Sequence, residues 1–511
     1  MINIIIELSK YLMIILITMY AYLCFGIFGY HDAKKQKGML LRQNILMFMI
    51  HIIAYLVMYL ETEDLKLMYF YGMQVVLLGA TIILYTSIYP KVSRLVVNNM
   101  CMLLCIGFIM LTRLNYSAAL KQFIIASGTI GISLLVPVII RRFKFLEDWR
   151  NIYAIVGIVS LAAVVIWGGV SGGAKLGFST EVVNIQPSEI VKIIFVFFVA
   201  ASFRKSLLFK DIVITTALAA FHVLILVVSK DLGAALIIFV VYLVMLYVAT
   251  KQPLYVFSGL LAGGAASVAA YHLFNHVRVR VQAFKDPFAV YNDGGYQVAQ
   301  SLFAIGTGSW FGMGLYQGVP DTIPVATSDF IFSAISEEMG LIFGICLILI
   351  CVSCYVMFLN IAMQLHDGFY KLVALGLGTC YIFQVFLNIG GVTKFIPSTG
   401  VTLPLVSYGG SSLLSTLIMF AIIQGLYILR EDEEDYIEKR KREQLRERQS
   451  APRIEREKER RQKSQLRTEG TGSKETPRRR KENDVQKRAE GRRKKRPDPR
   501  EEKTGKKQRI R

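Results

Sequence analysis

Between His276 and Gly308 the chain gathers side chains suited to one kind of chemistry. The run His276-Val-Arg278-Val-Arg280-Val-Gln-Ala-Phe-Lys285-Asp286-Pro places three cations, Arg278, Arg280 and Lys285, within eight residues. A guanidinium binds phosphate oxygens through a two-toothed fork, so this cluster suits a phosphate or diphosphate. Arg278 and Arg280 alternate, and they share one side only where the backbone is extended. The competing reading is anchoring at a membrane surface. Two carboxylates follow, Asp286 and Asp293, and then Gly294-Gly-Tyr-Gln-Val-Ala-Gln-Ser-Leu-Phe-Ala-Ile-Gly-Thr-Gly308. Glycines let backbone approach a substrate closely, and Gln297, Gln300 and Ser301 can bond sugar hydroxyls. A carboxylate beside arginines can take the proton of a hydroxyl nucleophile while the cations hold a diphosphate leaving group. Taken alone, this hints at glycosyl transfer from a lipid diphosphate. His272 and His276 have i, i+4 spacing without a third ligand, so no metal site is expected and no cofactor, although a divalent cation could assist a diphosphate.

The elements that must position these groups are apolar. The chain has 511 residues, 54% of them hydrophobic and 19% charged. Of its 58 Lys/Arg and 37 Asp/Glu, 32 and 19 fall in the last 82 residues. About one residue in ten of the remainder is charged, against roughly a quarter in soluble domains. That excludes a water-soluble enzyme and points to an all-α polytopic membrane protein with a charged tail. Thirteen apolar segments are candidate spans, with ten to thirteen crossings allowed: 5–29, 45–60, 67–88, 96–111, 123–140, 152–167, 190–200, 212–228, 232–249, 254–270, 341–361, 372–392 and 413–429. Lys34, Lys35, Lys37 and Arg42 sit in one short loop. Lys91 with Arg94, Arg141 with Arg142, Lys144 and Arg150, and Arg204 with Lys205 and Lys210 mark three more. Basic loops face the cytosol. Thirteen spans with an outside N-terminus put all of them, and the C-terminus, there. The same parity places the long 271–340 loop outside, where its aromatics and glycines predict an ordered structure. The seven cysteines lie in apolar stretches and read as small buried hydrophobes. Beyond Pro452 the tail is too polar to bury a core and is expected to be mostly disordered, docking on anionic lipid or protein rather than nucleic acid.

Charges that could lie at membrane depth need a reason. Glu189 and Lys192 stand at i, i+3 near the start of a short apolar helix, where they can pair or simply complement the helix end. Ser229-Lys230-Asp231 interrupts a long apolar run, as a hairpin or a helix break. Glu337 and Glu338 lead directly into a span.

From about Arg94 to Leu429 the sequence resembles the SEDS family (shape, elongation, division and sporulation), the RodA, FtsW and SpoVE group. The matching motifs begin with Gln186-Pro-Ser-Glu189-x-x-Lys192, a diverged Lys230-Asp-Leu-Gly233 and Arg280-x-x-x-Phe-x-Asp-Pro287. They continue with Gly295-Tyr-Gln-x-x-Gln300-Ser-Leu-x-Ala-Ile-Gly306-x-Gly308, Asp329-Phe-Ile-Phe-x-x-x-x-Glu337-Glu338-x-Gly340 and Pro404-Leu-Val-Ser407-Tyr408-Gly409-Gly410-Ser411-Ser412. Thr112-Arg113-Leu and Lys121-Gln122 also fit. The expected organisation is N-terminal spans over 1–93, partly beyond the family's usual ten, the family's membrane domain over 94–429, and a cytosolic tail over 430–511. The resemblance implies a multi-pass protein of the bacterial cell membrane that polymerises lipid II, the undecaprenyl-diphosphate-linked disaccharide peptide, at the outer face in division, shape or sporulation. It also implies a class B penicillin-binding protein as crosslinking partner, among other divisome or elongasome proteins. In family members the essential aspartate lies six residues before the Tyr of Gly-Tyr-Gln. Here that position is Val290. Asp293 is the expected replacement base and Asp286 its rival. A non-catalytic partner of a transpeptidase and a lipid II flippase are the alternative functions.

Overall fold

A computed structural model describes residues 2–30, 32–171, 174–179 and 184–469. Residues 470–511, most of the segment expected to be disordered, lie outside them. Seventeen helices run in chain order: α1 (Ile2–Gly26), α2 (Ala33–Thr62), α3 (Leu65–Ile88), α4 (Arg94–Leu114), α5 (Tyr116–Ser133), α6 (Val136–Arg142), α7 (Arg150–Trp167), α8 (Pro187–Lys205) and α9 (Phe209–Val228). They continue as α10 (Leu232–Thr250), α11 (Pro253–Leu273), α12 (Asn275–Lys285), α13 (Tyr296–Gly308), α14 (Ile331–Met339), α15 (Leu341–Gln364), α16 (Gly368–Val392) and α17 (Gly410–Glu469). Between α7 and α8 lies a small antiparallel sheet of Gly169–Ser171, Ala174–Ser179 and Asn184–Ile185. Residues Met1–Ile437 form one compact unit and Glu438–Arg511 another.

Local chemistry sets the helix ends. Asp32, Asp64, Asn115, Asp231 and Asp367 each accept a hydrogen bond from a backbone N–H two or three residues on, satisfying a donor that the first helical turn leaves open. Pro187 and Pro253 open α8 and α11, where the missing N–H costs nothing. Pro137 breaks one crossing into α5 and α6. The interruption at 229–231 is a hairpin: Lys230 takes a left-handed φ of 63° between α9 and α10.

Twelve stretches of the described helices are long and apolar enough to cross a membrane. The remaining candidate, α8, carries Glu189, Lys192, Arg204 and Lys205, yet its 19 residues reach about 28 Å, close to a bilayer's apolar thickness. It packs against α7, α9, α10 and α16, and most of its side chains are buried. Only protein neighbours can accommodate such a helix at depth. α4 is the most enclosed span, covered by α2, α3, α5, α14 and α15. The expected small buried cysteines are all buried and free.

At one end of the bundle Lys91 pairs with Asp432 and Asp435, and Arg141 pairs with Asp432 at 2.6 Å. Arg204 lies 2.9 Å from Glu147 and 3.9 Å from Asp367. The acidic run 431–435 thus belongs to the compact unit. α17 begins at Gly410, so Asp432 lies about 33 Å along it from its start, and Gly410 and Asp432 mark opposite ends of the bundle.

A Cβ on Gly376 of α16 would lie 2.6 Å from Val196 Cγ1 and 2.7 Å from Met245 Sδ, whereas one on Gly264 of α11 would meet nothing within 4 Å. Gly376→Val should therefore destabilise the protein by about 1–3 kcal/mol through overpacking. Gly264→Ala should leave stability unchanged or slightly raised. Thermal unfolding of the detergent-solubilised protein checks both.

Candidate functional site

The site is assembled from segments far apart in the sequence, at the end of the bundle opposite the charge cluster. The 271–340 loop is ordered as expected, carrying α12, α13 and α14 with short single-turn helices at Tyr291–Asp293 and Pro320–Thr322 in their connections. Because α12 is helical, Arg278 and Arg280 project about 200° apart instead of sharing a side. The two-arginine clamp expected from an extended strand does not form. Exposed Arg278 donates to the His272 carbonyl at the end of α11 (3.1 Å) and lies near the Tyr271 ring, and Lys285, also exposed, falls seven residues on along that same face. Arg280 turns inward.

Arg280 lies against the loop after α16, within electrostatic reach of Asp329 and Asp231. Gly400 lies between them: a Cβ there would make ordinary contact with Arg280 Nη2 at 3.4 Å and with Asp329 Oδ2 at 3.5 Å, and it is the left-handed φ of 70° that favours glycine. Burial lowers the Arg280 pKa, opposed by Asp329 and Asp231. Burial raises the Asp329 carboxyl above its usual range, opposed by Arg280. His276, one turn before Arg280, is held below its ordinary value by burial and then by Arg280 and Lys230. Two polar atoms at this cluster, Thr399 Oγ1 and His276 Nε2, are buried without a hydrogen-bond partner. A cation drawn inward, a second cation at Lys230 and open polar atoms together suit an anionic ligand.

Beneath this lies a hydrogen-bonded floor. Ser188 Oγ and Gln186 Nε2 donate to Asp231 Oδ2 at 2.8 and 3.1 Å, and the Gln186 amide donates to Ser411 Oγ at 2.8 Å. Lys192 pairs with Glu189 at 2.9 Å and donates to Gln384 Oε1 at 2.7 Å, while Ser415 Oγ donates to Glu189 at 3.0 Å. Gln384 Nε2 donates to the Thr402 carbonyl, and Asn388 Nδ2 bridges the carbonyls of Asp329 and Val401 at 2.8 and 2.7 Å. Pro404 lies buried within the loop that follows. Ser407 Oγ donates to the Ser328 carbonyl, the Tyr408 amide to Thr327, and Gln122 holds the Ser407 carbonyl and the Gly409 amide, just ahead of Gly410 at the start of α17. Sequence reasoning missed Gln384 and Asn388. Their i, i+4 spacing inside an otherwise apolar span was the available signal.

The remaining candidates divide. Ser301 is buried, bonded to Ser333 Oγ at 2.6 Å and to the Val392 carbonyl at 2.8 Å, so it joins α13 to α14 and α16 instead of facing a sugar. Gln300 donates to Tyr291 Oη, while Gln297 is exposed at the start of α13. Asp286 accepts from the amides of Phe288 and Ala289 at 3.0 and 3.1 Å, closing the turn after α12. The Val290 carbonyl accepts from Gly295 N–H at 2.9 Å. Asp293 ends the short helical turn Tyr291–Asp293, and its side chain lies outside the described residues. Its successor Gly294 abuts Val279, the sequence neighbour of Arg280, where a Cβ would come within 2.8 Å of Val279 Cγ1. Among the described residues no group of three His, Cys, Asp or Glu is placed to hold a metal ion.

Glu337 and Glu338 are buried, but they serve the loop. Glu337 accepts from the Val319 amide at 3.0 Å, and Arg113 pairs with Glu338 at 2.9 Å while lying over the Tyr316 ring. Burial pushes Glu338 up to about 8, against the pull of Arg113. A carboxyl raised in the folded state contributes stability that is full below its unfolded pKa and lost as pH climbs through the folded one. Thermal stability should accordingly fall as pH rises from about 4.5 to about 8. Glu338→Gln, which mimics the protonated form, should flatten that part of the profile.

Comparison with known proteins places these residues in context. The family model for FtsW, RodA and SpoVE, described as "Cell cycle protein", matches residues 93–431. Peptidoglycan glycosyltransferase RodA of Mycobacterium tuberculosis is 34% identical over 363 residues, 65% of this chain and 77% of the relative. Probable peptidoglycan glycosyltransferase FtsW of Bacillus subtilis is 30% identical over 290 residues, 53% and 72% of the two chains. A solved structure described as "Structural coordination of polymerization and crosslinking by a peptidoglycan synthase complex" aligns with a TM-score of 0.57 and 23% identity, over 66% of this chain and 98% of that one. Thermus thermophilus rod shape determining protein RodA aligns at 0.50 and 21%, over 66% and 97%. These two show the shared fold. The matched region begins at residue 93, so α1, α2 and α3 precede it.

Proposed function

This chain belongs to the FtsW, RodA and SpoVE family, and from that premise we propose that it is a peptidoglycan glycosyltransferase, as its relatives are named. The observation that supports this most directly is the inward turn of Arg280 into a cluster drawn from four segments of the family region, with Lys230 beside it and open polar atoms at Thr399 and His276. The diphosphate of lipid II binds Arg280 and Lys230; Arg278 and Lys285, on the opposite face of α12, take no part in that clamp. The acceptor's 4-hydroxyl oxygen bonds to C1 of the donor sugar with inversion. The C1–O bond to phosphate breaks, its electron pair leaves on undecaprenyl diphosphate, and the hydroxyl proton passes to a carboxylate.

Asp293 is that base. Asp286 is committed to two backbone amides in its turn, whereas the chain at Asp293 folds back onto α12 beside Arg280. The loop end of the bundle faces outward and the Lys91–Asp432 end faces the cytosol of a bacterial cell. The charges that a flippase would need are engaged in the protein's own hydrogen bonds: Glu189 with Lys192 and Ser415, Asp231 with Gln186 and Ser188. A class B penicillin-binding protein supplies crosslinking, in keeping with the polymerisation and crosslinking described for the structural neighbour. The specific observation favouring a non-catalytic reading is Val290 at the family's aspartate position.

Purified full-length protein given lipid II should form glycan polymer. Asp293→Asn should lose on the order of a hundredfold or more in rate, the share usual for a general base, while Asp286→Asn should lose about tenfold at most. The reverse pattern reassigns the base to Asp286. Full activity in both variants sinks the carboxylate account, and no polymer from the wild type leaves the non-catalytic reading.

A further inference from the structure

Residues 2–88 lie before the family region, yet one end of α1 grips the loop that carries the site. Lys10, only 10% exposed at its side chain, donates to the Gly312 carbonyl at 3.3 Å and pairs with Glu7 at 2.6 Å. Tyr11 meets the Phe311 ring at 5.7 Å, and Ile6, fully packed, closes on Gly314, where a Cβ would sit 3.4 Å from Ile6 Cγ2. The gripped segment is the hinge between α13 and α14. Its amides at Met313 and Gly314 donate to the carbonyls of Glu337 and Glu338, and its Ser309 and Trp310 carbonyls accept from Leu341 and Ile342 at the start of α15. α13 emerges from it in one direction toward Gln297 and Asp293, and α14 in the other toward Asp329.

The attachment of these helices to the core is specific. Tyr20 Oη donates to Asn99 Oδ1 at 3.1 Å, and Asn99 Nδ2 donates to Ser353 Oγ at 3.3 Å, joining α1, α4 and α15. Gln43 bridges Cys24 and Asn98, joining α1, α2 and α4. Tyr55 of α2 bonds Thr112, the neighbour of loop-holding Arg113. Interhelical hydrogen bonds in an apolar medium fix register, since a slip would strand each amide without a partner.

We propose that the N-terminal helices are a built-in positioning element for the loop, with Lys10 and Tyr11 as positioning residues that hold the α13–α14 hinge and thereby set the outer site. In its effect on turnover this rests on the glycosyltransferase reading; in its mechanical part it does not. Neither residue touches the reacting groups, so each acts through residues 309–318.

The test pairs two readouts on the full chain in nanodiscs. In Lys10→Met and in Phe311→Ala, amide hydrogen exchange over 309–318 should quicken by about fivefold or more while α16 stays protected. Polymerisation kcat should fall on the order of tenfold with little change in KM for lipid II, the signature of misplaced rather than missing binding groups. Lys10→Arg should restore both. Unchanged exchange in both variants overturns the proposal. Faster exchange with unchanged kcat overturns the positioning role. Faster exchange in a wild-type background that makes no polymer upholds the grip and instead removes the enzymatic reading.

Discussion

An unpaired polar group inside an apolar bundle costs more than most folds can bear, and this constraint organises the molecule. Glu189, Lys192, Asp231, Gln384 and Asn388 are tolerated within or beside spans because each finds its partner on a different segment. Those partners come from sequence-distant loops, so satisfying the buried charges also forces the loops at 186, 231, 329, 400 and 407 together. The site is the exposed rim of that network. Arg280 and His276 enter it from α12, beside Asp329 and Asp231.

The N-terminal helices extend the same logic. Asn98 and Asn99 lie on a span that is enclosed on every side, and they are satisfied by Tyr20 and Gln43 from outside the family region. Deleting α1 and α2 would not just trim the protein. It would take Leu40 and Gln43 from Asn98 and Tyr20 and Cys24 from Asn99, leaving Asn99 with Ser353, which ties the extra helices to the core energetically as well as spatially.

Much of this was legible in sequence, for physical reasons. Span positions follow from apolar length: twelve of the thirteen expected segments lie in helices long and apolar enough to cross a membrane, and the thirteenth lies in α8. The pairing of Glu189 with Lys192 follows from spacing. What sequence could not supply was the conformation of a short polar stretch. Arg-x-Arg reads alike as strand or helix, and the choice of helix separated Arg278 from Arg280. Ser301 looked like a sugar ligand because a serine among glycines carries no mark of burial, yet two partners on other helices fix it in the interior. Gln384 and Asn388 were passed over because polar amides in a long apolar run look like noise until their carbonyl partners are seen.

The ion pairs joining Lys91 and Arg141 to Asp432 and Asp435 have a consequence in time. A ribosome delivers the chain from its beginning, so the basic loops reach the insertion machinery well before the residues that will neutralise them exist. The topogenic signal is therefore read at full strength, span by span. Arrival of α17 then pairs Lys91 and Arg141 with its acidic run, so that charges unpaired during insertion end as a latch closing that end of the bundle.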